Sequence, residues 1–237
     1  MSSIYRGFVN RDNMAWFDGG PYRVLKVVGP DAFGISEDFV ATDAASDVIP
    51  GWTATLVEAG AGESTVTVDK TSGGHLVLTT DANDNDGVNI QLDGQAFECT
   101  TGQAMTYFGI KFAVSDAEQT DFLVGLCGTD TTLLAGLEEG IYFESLDGSA
   151  AISFVSEKVH VEQQSDTLGT LVDATDIVLE FYWDGTTAIA LIDGVVVATH
   201  ATTIPSLTLT PSIHFLNGAV GAETMTIDWV RAFQVGR

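Results

Sequence analysis

Three runs in this chain alternate with a period of two. Ile177, Leu179, Phe181 and Trp183 are interleaved with Val178, Glu180 and Tyr182; Phe108, Ile110, Phe112 and Val114 with Tyr107, Gly109, Lys111 and Ala113; Met225, Ile227 and Trp229 with Thr226 and Asp228. Successive side chains of a strand point to opposite faces, so such runs predict half-buried strands. Between the runs lie Asp86-Gly87, Asp93-Gly94, Asp147-Gly148, Asp184-Gly185 and Asp193-Gly194, dipeptides that admit the positive φ of tight hairpin turns. From Ile177 to Thr199 the pattern reads as a three-strand meander rich in β-branched residues. About a dozen such runs follow residue 50, and no segment sustains a helical period beyond a short turn at Leu133 to Glu139. A β-sandwich or barrel is therefore predicted over any α/β arrangement. Pro205 and Pro211 flank Leu207-Thr208-Leu209 and predict a crossover or edge strand there, because proline cannot donate to a ladder.

Charge divides the chain. The 237 residues carry 33 acidic and 9 basic side chains, a net of −24. A surface of that sign repels phosphate, so nucleic acid and anionic membranes are poor candidate partners. Residues 1–30 run the other way, with Arg6, Arg11, Arg23 and Lys26 against Asp12 and Asp18, a net of +2 that leaves −26 for the remainder. Up to about residue 45 the segment is also aromatic, with Tyr5, Phe8, Trp16, Phe17, Tyr22 and Phe33 set among glycines without a clean period. The division predicted is an attachment arm over residues 1–45 and one acidic β domain over residues 46–237. Six charges are few, and a chance cluster gives the same tally. Arginine and aromatic residues are enriched at interface hot spots, so Arg6, Arg11, Trp16, Phe17, Tyr22 and Arg23 are the predicted partner contacts. The alternative is an arm folded back over the sandwich's own edge.

The opening Met-Ser-Ser-Ile-Tyr-Arg-Gly has no apolar signal-peptide stretch, and no run of about 18 apolar residues occurs, so the expectation is a protein used without crossing a membrane. Cys99 and Cys127 are too few for a disulfide scaffold and lack zinc-site spacing; buried free thiols are expected. The one candidate cation site is Asp81-Ala82-Asn83-Asp84-Asn85-Asp86-Gly87, with Asp81, Asn83 and Asp86 as ligands for Ca2+. Its glycine falls one place late for an EF-hand and no closing glutamate follows; an Asx-rich turn explains the residues equally well, and no cofactor is otherwise expected.

The residues also carry a resemblance. Asp84-Asn85-Asp86-Gly87, Tyr107-Phe108-Gly109-Ile110-Lys111-Phe112, Asp121-Phe122-Leu123-Val124-Gly125-Leu126, Gly140-Ile141-Tyr142-Phe143, Phe181-Tyr182-Trp183-Asp184-Gly185 and Ile227-Asp228-Trp229-Val230-Arg231-Ala232 resemble a concanavalin A-like (lectin/glucanase-type) jelly roll of tailed-bacteriophage virion proteins, over roughly residues 50–237. The resemblance implies an all-β antiparallel sandwich with an extended N-terminal arm. It further implies a virion structural protein on the outer capsid surface, a capsid decoration protein whose partners are the major capsid protein and neighbouring copies of itself. A homo-oligomer, guessed as a trimer, is expected.

The same fold houses endoglucanases, whose retaining members resemble one another in a Glu-x-Asp-x-x-Glu strand that aims paired carboxylates into a cleft. This chain has no Glu-x-Asp. Glu157 and Glu162 bracket Val159-His160-Val161, and a spacing of five on one strand puts them on opposite faces; His75, His160, His200 and His214 are scattered without a nucleophile pattern. The expectation is that the chain is not an enzyme. Carbohydrate binding by a phage adhesin is the rival function: Trp52, Trp183 and Trp229 could stack on a sugar face, although in period-two strands they read more readily as core.

Overall fold

A computed structural model describes residues 32–40, 49–60, 62–70, 73–102, 105–146 and 148–235, together with the strands β1 (Gly7–Asn10) and β2 (Asn13–Trp16), which pair only with each other. The sandwich begins with β3 (Ala32–Glu37), β4 (Trp52–Val57), β5 (Thr65–Asp69), β6 (His75–Thr79), β7 (Gly87–Leu92), β8 (Met105–Val114) and β9 (Thr120–Cys127). A single helical turn α1 (Leu133–Gly136) precedes β10 (Glu139–Ser145), β11 (Ala151–Lys158), β12 (Val161–Thr170), β13 (Ile177–Trp183), β14 (Ala188–Ile192), β15 (Val195–His200), β16 (Thr210–Asn217) and β17 (Thr224–Val235).

Two antiparallel sheets result. One has seven strands in the order β12-β11-β10-β9-β16-β7-β4. The other runs β15-β14-β13-β8-β17-β6-β5, with β3 as its eighth strand beside β17. The free edge of β17 is shared: β6 pairs with Thr224 to Ile227, and β3 with Val230 to Val235.

The predicted alternation builds the core. Phe108, Phe112, Phe181 and Trp183 of the larger sheet meet Phe122, Phe143, Phe154 and Phe215 of the smaller, each at most 1% exposed. Phe112 and Phe122 meet edge-on at 5.3 Å between ring centres, and Phe154 lies 6.1 Å from Phe181. Burying a side chain of this size stabilises the fold by about 1.5–3 kcal/mol, so the aromatic layer is a main source of cohesion. The meander appears as β13-β14-β15, its second turn carrying Asp193 and Gly194 both at positive φ (50° and 76°), the geometry Asp-Gly favours.

Four readings are corrected. Asp86-Gly87 is no hairpin turn: Gly87 opens β7 against β16, where a Cβ would come within 2.0 Å of the Phe215 carbonyl oxygen. Trp229 does not continue the inward series of Met225 and Ile227, because a bulge between Ile227 and Trp229 turns Val230 inward instead. Pro211 lies in β16, a central strand, one residue before its pairing with β7 begins at Ser212, so on that side no ladder bond is required of it. The body also starts earlier than residue 46: β3 belongs to the sheet, and Phe39, 1% exposed, belongs to the core. β3 escaped the periodicity argument because its residues are half-buried on both faces, which leaves no alternation to read.

Candidate functional site

On the outer face of the seven-stranded sheet, alternation presents Leu123 and Cys127 of β9, Tyr142 of β10 and Val155 of β11, opposite to the main core. Residues 128–138, joining β9 to β10, cross this face as a strap. Polar side chains of β7 tie it down: Asn89 Nδ2 donates to the Asp130 carbonyl at 2.7 Å, Gln91 Nε2 to that of Gly128 at 3.0 Å, and Asp130 N donates back to Gln91 Oε1 at 3.0 Å. Leu133 and Leu137 then pack on Leu123, Tyr142 and Val155. Beneath the strap, cross-strand neighbours Asn89 and His214 leave Oδ1 and Nδ1 without a hydrogen-bond partner, and burial pushes the His214 pKa down to about 4.

Beside the strap opens a pocket of about 220 Å³, with Leu133, Leu134 and Leu137 on one wall and Tyr142, Glu144, Glu157, His160 and Glu162 on the other. The Tyr142 hydroxyl donates to Glu157 Oε2 at 3.0 Å, and Gln164 Nε2 donates to Glu144 Oε1 at 3.0 Å. Burial, and then the carboxylates of Glu162, Asp166 and Glu157, push the Glu144 pKa up to about 7. Burial raises Glu157 too, while the Tyr142 hydrogen bond pulls it back. A carboxyl titrating near neutrality beside a second, hydrogen-bonded one can give or take a proton, and leucines facing polar groups suit a ring with one apolar face.

The sequence reading missed this pocket and misplaced part of it. Glu157 and Glu162 are not on opposite faces of one strand; they are directly paired across the β11–β12 hairpin. The turn is Val159-His160, both at positive φ (51° and 59°), and it is docked on the strap by His160 N donating to the Glu138 carbonyl at 3.1 Å. The turn has none of the Gly, Asn or Asp that ordinarily mark a hairpin, and a β-branched valine at positive φ is unusual, so the run of sequence did not announce it. Tyr142 and Glu144 had a signal, since two positions apart on a strand they share a face.

None of the other predicted site residues that are described lines this pocket. Arg6, Arg11, Phe17, Tyr22 and Arg23 lie outside the described residues, and Trp16 is described only as the end of β2. Asp81, Asn83 and Asp86 do converge, but Asn83 Nδ2 donates to Asp81 Oδ2 at 3.2 Å and Asp86 Oδ2 at 2.9 Å, putting an N–H where a cation would need oxygen. Burial pushes the Asp86 carboxyl up, yet hydrogen bonds from Ala59, Asn83 and Gly60 hold it below its usual range. Among the described residues no group of three or more His, Cys, Asp or Glu side chains could hold a metal ion. Trp52 and Trp183 are core, and Trp229 carries Arg231 stacked 4.5 Å above its ring. Both cysteines are free and buried, with the Cys99 thiol pushed up to about 12 by burial.

Two packed antiparallel sheets with this pocket on one outer face define a concanavalin A-like jelly roll. Solved structures with the same architecture include a family 16 mixed-linkage glucanase of Bacteroides ovatus (TM-score 0.63, 15% identity, 84% of this chain and 99% of that one). A Bacillus licheniformis β-glucanase (0.60, 16%, 86% and 98%) and the carbohydrate recognition domain of Emp46p in its metal-free form (0.58, 11%, 83% and 94%) share it. No protein-family profile and no curated protein sequence matches the chain. The expectation that the chain is not an enzyme is corrected by these structures: the architecture it shares with them is one that glucanases use. At 15–16% identity the likeness speaks for the fold.

Proposed function

We propose that the chain is a structural component of a tailed-phage virion, a capsid decoration domain. It attaches to the capsid lattice through its N-terminal segment and displays the acidic jelly roll outward. The partition of charge carries this reading: residues 1–30 hold four of the nine basic side chains, whereas the body from 32 to 235 has only Lys70, Lys111, Lys158 and Arg231. Two of those four are already engaged by carboxylates, Lys111 with Asp176 and Asp228 and Arg231 with Asp38. A body left so uniformly negative repels copies of itself and needs a segment of opposite sign to hold it on a crowded surface. The test is deletion of residues 1–30: a folded β domain that no longer binds phage particles is expected, and undiminished particle binding would sink the reading.

Carbohydrate binding is the second reading, favoured by the pocket in which leucines face Tyr142, Glu144 and Glu157. In this reading the domain is an adhesin that holds a saccharide against the strap. Glycan-array binding lost in Glu144→Ala at unchanged thermal stability is the expected result; an array without signal for the full chain counts against it.

A further inference from the structure

The pocket beside the strap is one-sided in its chemistry. Its polar side chains are the carboxylates of Glu144, Glu157 and Glu162, the Tyr142 phenol and the His160 ring, and no lysine or arginine lines it. The one Tyr142 proton goes to Glu157 Oε2 at 3.0 Å. His160 Nδ1 lies 3.1 Å from the Leu137 carbonyl, which can only accept, so the ring donates there and, while neutral, keeps Nε2 as an acceptor. To an occupant, the side chains of this pocket offer acceptors alone.

Two of these acceptors are buried and only half used. Glu144 is 8% exposed and Glu157 5%. Glu144 Oε1 takes the Gln164 amide and Glu157 Oε2 the phenol, and the second oxygen of each carboxylate accepts no hydrogen bond among the described residues. A carboxylate taken out of water without a full set of donors is costly. Burial and the charges of Glu162, Asp166 and Glu157 already hold Glu144 partly protonated at neutral pH. An occupant that brings both protons and positive charge relieves this.

The layout narrows the choice. An anion is repelled by the carboxylates, and a neutral sugar can donate hydroxyls but leaves the charge uncompensated. A metal ion needs its oxygens gathered at one point. Glu157 pairs with Gly140, whereas Glu144 stands four residues further along β10, roughly 13 Å away along the strand, with Tyr142 between. The carboxylates therefore flank the phenol instead of converging, and among the described residues no group of acids could hold a metal. Leu133, Leu134 and Leu137 form the facing wall, which asks for carbon. We propose that the pocket binds a primary ammonium group on a carbon skeleton, the ammonium against Glu144 and the skeleton on the leucine wall. Among saccharides this selects an amino sugar over its neutral and acidic relatives. The choice of a sugar as carrier rests on the carbohydrate reading; the ammonium does not.

Titration calorimetry on the full-length chain at pH 7 compares the glucosamine trimer, its N-acetylated form and cellotriose, with cadaverine as an ammonium that carries no sugar. The glucosamine trimer is expected to bind about tenfold or more tightly than the other two sugars, the worth of one charge-assisted hydrogen bond. Glu144→Gln keeps the shape of the side chain and is expected to bring the three sugars level at an undiminished melting temperature. A preference that survives in this variant is attraction to the acidic surface at large and overturns the inference. Cellotriose or the N-acetylated trimer binding as tightly as the glucosamine trimer also overturns it, and leaves the carbohydrate reading standing. Cadaverine binding that depends on Glu144, with no sugar bound, upholds the ammonium site and sinks the carbohydrate reading. Blank titrations with all of these probes overturn the inference.

Discussion

Tyr142 and Glu157 are joined across β10 and β11 by a hydrogen bond of 3.0 Å, the phenol donating to a carboxylate only 5% exposed. The bond is a buried, charge-assisted one, whose loss leaves an acceptor without solvent. Tyr142→Phe should therefore destabilise the fold by about 1–3 kcal/mol at pH 7. The deficit should shrink on acidification, as the protonated Glu157 no longer needs a donor. Urea denaturation at pH 7 and pH 4 checks this; a deficit independent of pH would point to packing instead.

Glu144 sets a pH dependence of definite sign. Its folded pKa of about 7 lies above the ordinary 4.5, so the folded state holds a proton that the unfolded chain releases. The associated stability is present below pH 4.5 and is lost as pH rises towards 7. Glu144→Gln should remove that loss, gaining about 1–3 kcal/mol at pH 8 and almost nothing at pH 4.5, at roughly 1.4 kcal/mol per pKa unit. An equal gain at both pH values would contradict the argument.

His200 and His214 act in the opposite direction. Burial lowers both to about 4 from an ordinary 6.5, so their contribution is complete above pH 6.5 and is lost as pH falls towards 4. Replacing His214 by Phe should flatten this acid limb, seen as a smaller drop in melting temperature between pH 6.5 and 4. A limb of unchanged steepness would assign the acid sensitivity to His200 or to the carboxylates.

Phe181 stands between Phe108, at 5.6 Å, and Phe154, at 6.1 Å, and so touches both sheets. Phe181→Ala should cost about 3–5 kcal/mol by leaving a cavity that neither sheet can close. A shift in urea midpoint equivalent to less than about 1 kcal/mol would mean that the core collapses around the gap.

Much of the fold was readable because strands such as β8 and β13 alternate large apolar residues that face the other sheet with residues of mixed chemistry on the opposite face. β8 and β13 appear where Phe108 to Val114 and Ile177 to Trp183 predicted them. What escaped lies where local chemistry is atypical. The Val159-His160 turn lacks glycine or asparagine, the bulge before Trp229 shifts a strand by one residue, and β3 gains its identity only by pairing with residues far along the chain. The pocket escaped for the same reason: it draws on β10, β11, β12 and the strap, so no single run of sequence contains it. Of the arm residues named from composition only Trp16 falls among the described residues, as the end of β2, and Asp81, Asn83 and Asp86 converge in a hydrogen-bonded turn.

The pairing of Ala32 with Val235 ties the first strand of the sandwich to the last. β17 is flanked by β8 on one edge and by β6 and β3 on the other, so three strands made early in synthesis wait for the final one before the larger sheet is continuous. Closure therefore waits for the synthesis of β17, and loop entropy over some 200 residues makes it slow. Until then the edges of β3, β6 and β8 are bare, and the nascent body depends on its negative charge to keep copies apart during the interval when it is most prone to aggregate.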